Sequence, residues 1–164
     1  MSILKVTTRI FLVLISACWV ALAHGETPDI SQLSSDEQTS LRIACSGAKT
    51  QGPAAYNQCV SRQLATLESG SRTPDISFLS SDEQTSLRIA CSGAKTQGPA
   101  AYNQCVSRQL ATLESGSRTP DISFLNSDEQ ASLRIACSGA KTQGPAAYNQ
   151  CVSRQLATLE SGSR

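Results

Sequence analysis

Apolar positions along the chain recur as two short helical stripes separated by a Gly-Pro step. Leu41, Ala44, Cys45 and Ala48 fall at i, i+3, i+4 and i+7, the spacing that lines one face of an α-helix. Tyr56, Cys59, Val60, Leu64 and Leu67 form a second stripe, which predicts a helix from Pro53 to Leu67. Between the stripes, Gly52 tolerates a left-handed exit from the first helix, and Pro53 suits the first position of the next. The first helix, reaching to Lys49, has an equally clear start. Ser34 and Glu37 have the spacing of a capping box, and Asp36 and Glu37 place negative charge where the helix dipole favours it. Gly70 and Ser71 end the second helix. The pattern predicts a helical hairpin.

That hairpin is written three times. Thr27 to Arg72, Thr73 to Arg118 and Thr119 to Arg164 repeat with a period of 46 residues, and only three positions differ among the copies. They are Gln32/Phe78/Phe124, Ser34/Ser80/Asn126 and Thr39/Thr85/Ala131. A fixed period in this range signals an array of one supersecondary unit. The expected fold is all-α: an export segment over residues 1–23, then hairpin units over 24–72, 73–118 and 119–164.

The cysteine spacing follows from the same geometry. Cys45 lies seven residues before Gly52 and Cys59 seven after it. In two antiparallel helices both thiols therefore stand at one height, each on its inward stripe. Packed helices can bring such positions within the roughly 4.4–6.8 Å between Cα atoms that a disulfide requires. The expected bridges are Cys45–Cys59, Cys91–Cys105 and Cys137–Cys151. Each closes a loop worth about 3 kcal/mol in the chain-entropy view. A unit this small buries too little apolar surface to do without such a staple.

The N-terminus changes the setting. Lys5 and Arg9, the apolar run Ile10 to Val20 and the Ala21-Leu22-Ala23 step have the order of an export signal cleaved after Ala23. The run is too short for a membrane-spanning helix, so no transmembrane segment is expected in the mature chain. Ile15-Ser16-Ala17-Cys18 also resembles a bacterial lipobox, which would attach a lipid anchor at Cys18. Simple export is favoured because residues 19–23 stay apolar beyond Cys18. Removing the signal takes away the odd cysteine of seven, leaving six in an oxidising compartment. The expected localisation is periplasmic or extracellular.

Charge and residue inventory narrow the function classes. The chain from His24 onward carries a net charge of about −1, with no basic stripe to follow a phosphate backbone, so nucleic acid is not an expected partner. His24 could chelate copper as an N-terminal residue, but the chain has one histidine, and a copper brace needs two. The cysteines lack close C-x₂-C spacing, so neither metal nor any other cofactor is expected. Serine nucleophiles have no base in the repeats. Gly93-Ala94-Lys95-Thr96 lacks the glycine spacing and preceding strand of a phosphate loop. Asp36-Glu37 reads as helix-start chemistry, and Tyr56, Tyr102 and Tyr148 as core residues with a hydroxyl at the rim.

The string LSSDEQTSLRIACSGAKTQGPAAYNQCVSRQLATL resembles a tandem repeat of exported bacterial proteins. In that family an acidic helix start, a cysteine, a G-P-A-A-Y-N-x-C segment and a final leucine recur. The likeness covers all three units, with Gly52 to Asn57 and Cys59 as its most specific part, and implies bacterial export without assigning an activity. Plant hairpin inhibitors share the stapled two-helix idea but carry C-x₃-C on each helix and two bridges; here each helix has one cysteine.

The expectation is a non-enzymatic exported protein with a structural or multivalent binding role toward a protein or envelope component. The alternative is an inhibitor or small-ligand binder acting through single units, and recent duplication alone would also give near-identical copies. Between units, Phe78 and Phe124 replace Gln32 and are expected to pack on the preceding hairpin, with Ile43 as a candidate receiving surface. Glutamine in the first unit then predicts no open-ended head-to-tail association through that contact.

Overall fold

The computed structural model of the chain describes residues 27–69, 73–114 and 119–162. The expected export segment, Cys18, His24 and the Gly70-Ser71 stop lie outside them. In the first unit, α1 (Ser35–Ala44) leads through a single turn, α2 (Ser46–Lys49), to the long α3 (Pro53–Glu68). The second unit repeats this as α4 (Ser81–Ala90), a 3₁₀ helix η1 (Ser92–Gln97) and α5 (Pro99–Glu114). The third has α6 (Ser127–Ala136), η2 (Ser138–Gln143) and α7 (Pro145–Gly162). No strand occurs among the described residues.

Local chemistry sets the boundaries. Ser34 and Glu37 form a reciprocal capping box: the Glu37 N–H donates to the Ser34 hydroxyl, and Glu37 Oε2 accepts from the Ser34 N–H. Ser80 repeats it, and Asn126 keeps the same box with an amide oxygen. Gly52, Gly98 and Gly144 turn the chain at φ of 107°, 114° and 114°, with ψ near 172°, a region only glycine enters freely. The proline after each opens the long helix, as the sequence predicts.

The first helix is shorter than its stripe suggests. It stops at Cys45 (φ −94°, ψ 8°), and the chain rewinds as the short turn before Gly52. Ser46 and Gly47 are weak helix formers, and a tighter turn absorbs them. In units two and three, where the preceding hairpin packs on this turn, the winding is 3₁₀.

Each hairpin has its own core. Leu41, Cys45 and Val60 are buried in the first, flanked by Ile30, Leu33, Tyr56, Cys59 and Leu64. Equivalent clusters form around Leu87 and Leu133. The disulfides join Cys45–Cys59, Cys91–Cys105 and Cys137–Cys151, with Cα–Cα separations of 5.8, 5.7 and 5.7 Å. They tie the end of each first helix to the inward face of the long one. The fold is three stapled helical hairpins in tandem.

The phenylalanines are not the link between them. Phe78 is 69 % exposed and Phe124 67 %. Both sit in a tight turn in which the Leu79 N–H returns to the Ile76 carbonyl and Asp75 accepts from the Ser77 N–H. That turn directs Ile76 and Leu79 inward and leaves the intervening Phe78 at its outer tip; Phe124 repeats the geometry. Ile43, the expected receiving surface, is 41 % exposed.

Candidate functional site at the joint between units

The units meet through the acidic start of one first helix and the turn and long helix of the next unit. Asp36, on the first turn of α1, accepts from Lys95 Nζ at 2.8 Å and from Arg88 Nε at 2.9 Å. Both cations belong to unit two. One turn of helix further on, the Ser40 hydroxyl donates to the Lys95 carbonyl at 3.1 Å. Lys95 thus meets α1 with both its main chain and its ammonium, which also lies 4.8 Å from the centre of the Tyr102 ring.

Glu37 has two roles, one for each carboxylate oxygen. Oε2 completes the helix cap, while Oε1 accepts from Asn103 Nδ2 at 2.7 Å and from the Thr73 hydroxyl at 2.5 Å. The residue is only 3 % exposed. A buried carboxylate is stable only when its oxygens are filled, and here they are. Burial opposes its ionisation, yet the bonds from Thr73, Asn103 and Ser34 outweigh this and hold Glu37 below its ordinary 4.5. Asp36 behaves alike: burial opposes, Lys95 and Arg88 prevail, and the carboxyl lies below 3.8. Burial, then the neighbouring Asp36 charge, pushes the Tyr102 phenol up to about 12.

The second joint reproduces the first. Asp82 receives Lys141 at 2.7 Å and Arg134 at 2.8 Å, Glu83 receives Asn149 at 2.7 Å and Thr119 at 2.6 Å, and Ser86 donates to the Lys141 carbonyl at 3.0 Å. Two glycines gain a second purpose here. A Cβ on Gly98 would stand 1.9 Å from Gln63 Oε1, and one on Gly144 1.9 Å from Gln109 Oε1. The glycine therefore both turns its own chain and lets the previous long helix approach.

Sequence reasoning placed the bridging cysteines and misread this joint. Pattern and spacing mark Asp36 and Glu37 only as helix-start residues, and the tyrosines as core residues with a hydroxyl at the rim. Tyr102 and Tyr148 are 3 % exposed with their hydroxyls buried, whereas Tyr56, which no unit precedes, is only half-buried. The sequence carries two signals of the joint. Asp36 duplicates a charge the capping box does not need, and Asn57 puts a poor helix former inside an otherwise favourable helix.

The joint also encloses small clefts. The first, about 160 Å³, lies among Asp36, Pro74, Arg88, Tyr102 and Asn103; its counterpart at the second joint is about 180 Å³. Both are smaller than the several hundred Å³ usual for small-molecule sites. Among the described residues no group of three His, Cys, Asp or Glu side chains converges as a metal site, and no helix is long and apolar enough to cross a membrane. Comparison with protein-family models, curated proteins and solved structures finds no match to this chain.

Proposed function

We propose that the chain is a non-enzymatic exported bacterial protein with a structural or multivalent binding role at the cell envelope or outside the cell. The observation that carries this reading is the constant register of its units. Both joints use the same bonds to within 0.1 Å, so any exposed feature of one hairpin recurs at a fixed pitch along the array. Exposed Phe78 and Phe124 are such a pair, as are Ile43 and Ile89. Fixed repetition raises avidity for a repetitive partner without new contacts.

Two further observations support it. Two of the three paired carboxylates, Asp36–Glu37 and Asp82–Glu83, are engaged in the joints, and in the third pair Glu129 is held in a helix cap. The three disulfides fit an oxidising compartment, in line with the export signal read at the N-terminus. The test is retention on isolated envelope material by the three-unit chain and by a single hairpin, each unit having its own core and bridge. Multivalent binding predicts that the three-unit chain is held at least tenfold more tightly, on the order of 10² or more for well-matched spacing. Equal retention would instead assign binding to single units, the mode of an inhibitor or small-ligand binder.

A further inference from the structure

Each joint is heterologous: the acidic face of one unit meets a different, receiving face on the next. Every unit carries both faces, and among the described residues one of each is not joined to another unit. At one end stands the α6 face with Asp128, Glu129 and Ser132, all exposed, whereas Ser40 and Ser86 are fully buried in the joints. Ile135 is 74 % exposed against 41 % for Ile43 and Ile89. At the other end is unit one's receiving face, where Pro53 is exposed although Pro99 and Pro145 are buried.

These end faces are complementary in detail. A hollow of about 130 Å³ on unit three is lined by Glu129, Ser132, Leu133, Ala136, Gln155 and Leu159. Gln155 corresponds to Gln63 and Gln109, which lie against Gly98 and Gly144 of the following unit. The hollow is therefore where a following Gly-Pro step would seat. Gly52, at the opposite end, has nothing within 4 Å of where its Cβ would stand. Lys49 already lies over the Tyr56 ring at 5.1 Å, as Lys95 does over Tyr102 beside Asp36. None of the three positions that vary among units supplies a side chain to the bonds across the joint. Asn126, next to the acidic face, keeps Glu129 in its capping box.

We infer that the α6 face receives unit one of a second copy of this chain, so that chains add head to tail. Asp128 takes Lys49 and Arg42, and Glu129 takes Asn57 and Thr27, repeating the internal joint. Capping units of repeat arrays usually carry altered outer faces that stop such growth; units one and three keep the joint residues on the faces that are exposed here. The operation does not close within three units, since both faces remain exposed, and a heterologous contact that does not close builds open filaments. Gln32 does not prevent this, because Phe78 and Phe124 take no part in the joint.

The chain is produced from its full sequence with its own N-terminal segment, and its mature N-terminus is checked by mass spectrometry. Sedimentation velocity then follows it up to about 1 mM, the range in which even weak protein contacts register. The expected result is a mass rising through multiples of one chain. Asp128→Ala with Glu129→Ala blocks one end, and Arg42→Glu with Lys49→Glu blocks the other without creating a new complementary pair; helical content by circular dichroism verifies folding of each. Each variant alone should remain monomeric, and their mixture should form a one-to-one dimer and stop. A wild-type chain monomeric throughout would overturn the inference without recourse to variants. So would blocked variants that assemble as the wild type does, or an assembling wild type whose blocked variants fail to pair.

Discussion

Glu37 is asked to do two things at once, and its counterparts in the other units separate them. Glu37 and Glu83 each cap a helix and bind the next unit, while in a single, unassociated chain Glu129 only caps. Replacing Glu129 by alanine should cost what a lost cap costs, about 0.5–1 kcal/mol. Glu37→Ala and Glu83→Ala also strand Asn103 and Asn149 donors at a buried joint, which adds about 1–3 kcal/mol. Chemical denaturation of the three single variants checks this as a difference between identical substitutions. Equal losses at all three positions would mean that the joint contributes nothing.

Among the elements, the hairpin was legible and the joint was not, for a physical reason. Capping box, glycine step and the Cys45–Cys59 spacing are all decided within about 15 residues, where period and turn chemistry suffice. The joint pairs residues 36 to 66 positions apart, and near-identical units hide which copy Asp36 will meet. The change from Gln32 to Phe78 draws the eye as the one change of character among the units, yet its turn position between Ile76 and Leu79 points Phe78 outward. The break of α1 at Cys45 was missed because its apolar stripe runs on through Ala48. The stapled hairpin makes its own prediction. Each bridge closes a loop worth about 3 kcal/mol, so reduction should lower the thermal transition strongly and in all units together. Replacing Cys45 and Cys59 together by serine should leave no free thiol by mass spectrometry after alkylation; newly freed thiols, as a Cys59–Cys91 link requires, would contradict the hairpin register.

For the whole molecule, the joints make stability depend on pH at both extremes. Asp36, Glu37, Asp82 and Glu83 are held below their ordinary 3.8 and 4.5, so they stabilise the array above those values. That contribution is lost as pH falls from about 4.5 through the lowered folded values. Tyr102 and Tyr148, pushed up to about 12 from 10.0, act in the opposite sense. Their contribution is complete below pH 10 and is lost as pH rises toward 12. Thermal unfolding across pH should show a plateau bounded by both falls, with disulfides intact.

The central claim is that acidic helix starts, and not the phenylalanines, fix the units in one register. Small-angle X-ray scattering at high dilution tests it most directly by comparing two variants with the wild type. Reversing charge at Asp36, Glu37, Asp82 and Glu83 to lysine is expected to enlarge the radius of gyration as the joints open, with hairpin helicity retained. Phe78→Gln with Phe124→Gln is expected to leave the dimensions unchanged. A charge-reversed chain as compact as the wild type, or an expanded phenylalanine variant, would contradict the account.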